Sequence, residues 1–160
     1  MNEATPQRPW KAIAAMSENR VIGKGNDLPW HLPEDMKWVM NCTRDKAIAM
    51  GRHTYESMGK PLPRRENIVI SRSLKELPGC TVLPSLEALL DHRTDRDLWI
   101  FGGGEIYRQA LPYIHTLYLT LVYGEFEGDA VFPRFEDQFQ LAETLRREKE
   151  FEIRRYDALY

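Results

Sequence analysis

The sequence predicts an α/β domain in which one largely parallel sheet carries helices on both faces. Two observations support that reading. Short, continuously apolar runs recur along the chain, each followed by a polar or glycine-rich turn and then a helix-like segment, as expected of strands buried on both faces. From Thr116 onward the segments are strand-like with no helix between them, so antiparallel additions to the sheet edge are expected there. A length of 160 residues suits one domain with a real core and is short for two.

Met1 to Trp10 is polar and holds two prolines, Pro6 and Pro9; it lacks the apolar run of a signal peptide or membrane span and is expected to be a loose tail before a domain over 11–160. Ala12 to Met16 reads as the first buried strand, followed by the glycine-rich loop Gly23 to Trp30 and a helix that starts near Pro33, where a missing N–H costs nothing. Ala47 to Met50 is the second strand and ends at Gly51. Arg52-His53-Thr54 leads into a helix from about Thr54 to Gly59, a good helix-ending glycine.

Lys60 to Arg65 is too proline-rich for regular structure and precedes the strand Asn67 to Ile70, which ends in Ser71-Arg72-Ser73. After a turn at Pro78-Gly79, Cys80 to Leu83 is a short strand, and Ser85 caps a helix whose Leu86, Leu89 and Leu90 share a face. Leu98 to Phe101 runs into Gly102-Gly103-Gly104 and a helix from Glu105 to about Leu111. Leu117 to Tyr123 and Phe151 to Tyr156 are the late strands.

A net charge of -2 and a pI near 6.1 argue against nucleic acid or an anionic membrane as the main partner. Cys42 and Cys80 lack metal-like spacing, and Cys42 sits on an apolar helix face, so buried free thiols and a cytoplasmic location are expected. His31, His53, His92 and His115 do not form a metal-ligand pattern, so no metal is expected. Arg146, Arg147, Lys149, Arg154 and Arg155 alternate with Glu148, Glu150 and Glu152, which reads as a solvated strand or hairpin.

The chemistry begins with an acid. At about 100° per residue, the helix after Pro33 gathers Glu34, Lys37, Asn41 and Arg44 in a polar arc and Met36, Trp38, Val39, Met40, Cys42 and Thr43 in an apolar one. Asp35 falls inside the apolar arc. A buried carboxylate needs a protein donor or a ligand that supplies one; the alternative is an acid that only complements the positive end of its helix. Burial is the stronger influence on ionisation, so the carboxyl is expected to titrate high.

Three strand-to-helix turns supply anion donors where such sheets place ligands. Arg52-His53-Thr54 offers a guanidinium, an imidazole and a hydroxyl, Ser71-Arg72 a hydroxyl and a second guanidinium, and Gly102-Gly103-Gly104 a close backbone approach. Tyr107 stands where G-x-G-x-x-G needs its last glycine, and no Walker lysine follows, so the common dinucleotide and P-loop motifs are disfavoured. A ligand with several phosphates, one a terminal monoester, suits these donors; NADPH fits.

From Ala12 to about Tyr156 the chain resembles the dihydrofolate reductase family. The resemblance lies in Ile13-Ala14-Ala15-Met16, Val21-Ile22-Gly23, Leu28 through Asp35, Met50 through Gly59, Phe101 through Tyr107, and Glu127-Gly128-Asp129. It implies a three-layer sandwich with a central eight-stranded, mostly parallel mixed sheet flanked by four helices. It also implies a cleft in which NADPH reduces dihydrofolate, by hydride transfer to C6 and protonation at N5.

By that resemblance Asp35 is the single active-site acid, which holds N3 and the 2-amino group of the pterin. Thr120 supports it, while Leu28 and Trp30 belong to a lid over the nicotinamide. Ile13, Ala15, Val39, Met58, Leu62 and Phe101 are expected to line the substrate pocket, and Arg65 to hold the glutamate carboxylate. Arg52, Ser71 and Arg72 are expected around the adenosine 2′-phosphate, with His53, Thr54 and Gly102 to Gly104 at the pyrophosphate.

Ala15, Ile22, Gly23, Asn26, Leu28 and Gly51 complete the expected cofactor contacts, with Phe101, Glu105, Ile106 and Tyr107. The resemblance further implies a cis bond between Gly102 and Gly103. Glu105 stands where many bacterial members have a basic residue, and Val39 where a larger aromatic is frequent. A monomer is expected. The closest rival among enzymes is the pyrimidine reductase of riboflavin synthesis, which should lack the Trp30-to-Asp35 motif and the Arg65 anchor. A non-catalytic nucleotide- or folate-binding protein is the rival outside them.

Overall fold

The computed structural model describes residues 8–24 and 28–160. Alternation along the strands sets its layers, because successive side chains point to opposite faces. In β1 (Trp10–Ser17) Ala12, Ala14 and Met16 face one core and Ile13 the other. The division repeats in β3 (Ala47–Gly51), with Ala47 and Ala49 opposite Ile48 and Met50, and in β4 (Glu66–Ile70), with Ile68 and Ile70 opposite Val69. A strand apolar on both faces must be covered on both, which makes three layers.

The remaining elements are β2 (Val21–Gly23), α1 (Pro33–Thr43), α2 (Arg52–Met58), β5 (Cys80–Leu83), α3 (Leu86–Asp91), β6 (Leu98–Gly102), α4 (Gly104–Ala110), β7 (Ile114–Val122), β8 (Ala130–Val131), β9 (Phe139–Arg147) and β10 (Phe151–Ala158). The main sheet has eight strands, as the resemblance implies, and their order is β5-β4-β3-β6-β1-β7-β10-β9. Only β10 opposes the rest. β2 and β8 form a separate antiparallel ribbon.

Helices α3 and α4 cover one face through Leu86, Leu89, Ile106, Tyr107 and Ala110. Helices α1 and α2 cover the other through Trp38, Val39, Cys42, Tyr55 and Met58. Ile48, Met50, Ile68 and Ile100 are fully buried. Each contributes roughly 1.5–3 kcal/mol, so the central strands form a rigid floor for what lies on their ends.

Several expectations change. Trp10, expected in the loose tail, opens β1 and is buried, and Arg8 donates to the carbonyls of Leu111 and Ile114, both at 2.9 Å. The packed chain therefore begins by Arg8; residues 1–7 lie outside those described. The first of the late strands, β7, is not antiparallel: it runs parallel to β1, and reversal starts with β10. Helix α2 begins at Arg52 rather than Thr54 because Gly51, with extended backbone, serves as its N-cap. Leu90 is 39% exposed despite sharing an apolar pattern with Leu86 and Leu89, since α3 ends at Asp91 before a further turn could cover it.

Candidate active site

The first turn of α1 begins at Pro33 with no side-chain cap from Leu32. It carries Asp35 over the carboxyl end of β7, and period two along that strand turns Tyr118 and Thr120 toward the helix. Thr120 Oγ1 donates to Asp35 Oδ1 at 2.6 Å, and the two residues are 1% and 7% exposed. Burial pushes the Asp35 carboxyl above its ordinary range; the Thr120 bond and the charge of Arg146 pull the other way without overcoming it.

Beside this acid opens a cleft of about 290 Å³ lined by Leu28, Trp30, His31, Leu32, Pro33, Asp35 and Met36. Met36 is 47% exposed, contrary to its place in the apolar arc, because the helix start borders the cleft rather than the sheet. Trp30 packs edge-on against Phe126 with ring centroids 5.3 Å apart. Asn26 and Gly25 lie outside the described residues.

Ile13, Val39, Met58, Leu62 and Phe101 share one apolar cluster on the α1–α2 face, and Ala15 lies opposite Thr120 in register. All but Ile13 are only partly buried, as befits walls of a cleft. Arg65 donates from Nη2 to Met40 O at 2.5 Å, from Nη1 to Pro63 O at 2.7 Å and from Nε to Thr43 Oγ1 at 3.3 Å. Nη2 also donates to Met40 Sδ at 3.7 Å, so four of its five N–H bonds are spent on fixing the guanidinium at the end of α1 and one on Nη1 remains. Arg64 instead pairs with Asp45.

Asn67, which sequence reasoning passed over, organises this loop: its Nδ2 donates to Leu62 O and Arg65 O, and its Oδ1 accepts from Leu62 N. A buried amide opening an apolar strand was the available signal.

On the other side of β6 the three turns meet. The Gly102–Gly103 peptide is cis. A Cβ on Gly103 would stand 3.3 Å from Thr54 Oγ1, one on Gly51 3.2 Å from Ile106, and one on Gly104 3.6 Å from Ile22. Arg52 donates to Ser73 Oγ at 3.1 Å and Glu56 at 2.8 Å, and Ser73 Oγ lies 3.4 Å from Ser71 Oγ. Ser73 and Glu56 are therefore partners that the sequence did not single out. Arg72 is exposed, and the His53 side chain is 86% exposed, 3.5 Å from Glu56.

Tyr107 lies beneath the glycine turn, buried, with its hydroxyl donated to Ile13 O at 2.6 Å. It links the cofactor side to the substrate wall from below. The Glu105 carboxylate is directed along α4 to Arg108 and Gln109, whose hydrogen bonds hold it down at a pKa of about 2. Gly23 O accepts from Asp129 N at 3.1 Å at the ribbon.

The donors fit a dinucleotide: two guanidiniums and two hydroxyls suit phosphate oxygens, and the gap at Gly103 gives backbone access that a Cβ would close. A mostly parallel sheet, these turns and a buried acid beside the cleft define a dinucleotide-dependent oxidoreductase of the α/β class.

Comparison gives the particular family. The family model for dihydrofolate reductase matches residues 10–159. A dihydrofolate reductase of Bacillus subtilis (strain 168) is 46% identical over 127 residues, 78% of this chain and 76% of that protein. One from Haemophilus influenzae is 42% identical over 149 residues, 92% of this chain and 93% of its own. A solved dihydrofolate reductase from Enterococcus faecalis, complexed with NADP(H) and RAB-propyl, superposes with a TM-score of 0.84 at 31% identity, covering 96% of this chain and 99% of that one. The chain belongs to the dihydrofolate reductase family, and its reaction is the NADPH-dependent reduction of 7,8-dihydrofolate to 5,6,7,8-tetrahydrofolate.

Proposed function

We propose that this chain performs the reaction through one acid, Asp35, that binds the pterin and sustains protonation at N5. The buried Asp35 carboxyl, fixed by Thr120 beside an apolar wall, carries the reading. NADPH, when bound, supplies the hydride to C6. The protein orients the two rings, excludes water and holds the acid.

Ile13, Ala15, Val39, Met58, Leu62 and Phe101 seat the substrate rings, and the guanidinium of Arg65, with its remaining Nη1 N–H, pairs with the carboxylate of the tail. Arg52, Ser71 and Arg72 hold the 2′-phosphate, aided by Ser73; Thr54 and Gly102 to Gly104 receive the pyrophosphate. Leu28 and Trp30 cover the nicotinamide side. The free thiols Cys42 and Cys80, half-buried rather than buried as expected, and the net charge of -2 favour a cytoplasmic enzyme, which we expect to act as a monomer. Among the described residues no helix is long and apolar enough to cross a membrane.

Dihydrofolate-dependent oxidation of NADPH by the purified protein, with NADH compared in the same assay, tests the reading. Turnover with a clear preference for NADPH is expected. Binding of both ligands without oxidation would replace it with a non-catalytic role.

A further inference from the structure

Ala15 lies opposite Thr120, Thr120 opposite Ile153, and Ile153 opposite Arg146, so one row of residues crosses β1, β7, β10 and β9. Residues directly opposite one another project to the same face. Two members of the row reach the first turn of α1: Thr120 bonds Asp35, and Arg146 Nη2 donates to Glu34 Oε1 at 3.3 Å. Consecutive acids are thus held from two strands of one sheet.

The guanidinium is itself fixed. Its Nε donates to Glu148 Oε2 at 2.6 Å, and its carbon stands 5.8 Å from the Phe151 ring centroid. Glu34 is tied a second time, to Lys37 at 3.0 Å. This grip falls on a helix start that has no side-chain cap, so its first turn depends on tertiary contacts for its orientation.

We propose that Arg146 is a positioning residue for the reaction: through Glu34 it clamps the first turn of α1 and thereby sets where the Asp35 carboxyl meets the substrate. Its positive charge also stabilises the ionised form of Asp35. The other charged or titratable groups around that acid are Glu34, Lys37 and Cys42 on its own helix, His31 in the cleft lining, Tyr118 on β7 and Glu148 beyond Arg146.

The proposal rests on Asp35 as the substrate-binding acid. In Arg146→Gln, KM for dihydrofolate is expected to rise several-fold with KM for NADPH unchanged, and the alkaline limb of the rate profile to move to higher pH. Arg146→Lys keeps the charge but not the fork that serves both Glu34 and Glu148, so the KM rise remains while the limb returns toward the parent position. Glu34→Gln breaks the same clamp with Arg146 present; it keeps the test valid if Arg146→Gln fails to fold, and the same selective KM rise is expected. Unchanged KM and limb in Arg146→Gln, or unchanged KM in Glu34→Gln, overturns the role of Arg146. Full turnover by Asp35→Asn would instead remove the reading beneath it.

Discussion

At the scale of the residue, Asp35 trades stability for chemistry. Its carboxyl titrates higher folded than unfolded, so the native state holds the extra proton above the unfolded pKa, and stability is lost as pH rises through the folded value. Asn removes that titration and still accepts from Thr120. Asp35→Asn is expected to lose at least about 10²-fold in turnover while its melting temperature, relative to the parent, gains steadily from acid to neutral pH. Calorimetry and steady-state rates on one preparation would check both. Thr120→Val takes the donor away and leaves the acid. A hydrogen bond to a charged group is worth about 1.5–3 kcal/mol, so kcat/KM for dihydrofolate should fall roughly tenfold or more, with the alkaline limb moved upward. Asp35 was legible in the sequence because a helix wheel reports facing. Arg146, Ser73 and Asn67 were not, because their roles arise from partners brought near by strand pairing or loop closure.

Among the elements, the turn after β6 joins both halves of the site. Gly102 has φ 121°, where side chains are disfavoured, and a Cβ there would meet the Tyr107 ring at 3.1 Å. Gly102→Ala is expected to cost about 1–3 kcal/mol through overpacking and to weaken both NADPH and dihydrofolate, since displacing Tyr107 also frees the Ile13 carbonyl. Urea unfolding and separate titrations with each ligand measure this. The buried strands β1, β3, β4 and β6 were readable because strands covered on both faces are apolar throughout. Of the edge strand β9 only Arg146 and Arg147 were legible, as part of a solvated strand or hairpin; five of its nine residues are exposed, so it lacks the continuous apolar run of a strand covered on both faces. The direction of β7 escaped because local sequence says nothing of which neighbour a strand pairs with.

For the whole molecule, acid is the weak side. Glu34, Glu56, Glu66, Glu105, Glu136 and Glu152 all titrate below their ordinary range, held down by bonds to arginine, lysine, histidine, threonine, tyrosine or glutamine partners. A depressed carboxyl contributes stability above its unfolded pKa and loses it as pH falls through the folded one. Melting temperature is therefore expected to drop below about pH 4.3, toward the value near 2 of Glu105. Because most of these pairs are exposed, added salt should shrink the drop. The tryptophans divide along the same architecture. Trp10 and Trp99 are sealed in the two cores, while Trp30 lines the cleft and Trp38 is half-buried on the substrate face. The molecule thus carries its own optical gauge: bound ligands alter the emission of the second pair and leave the first as an internal standard.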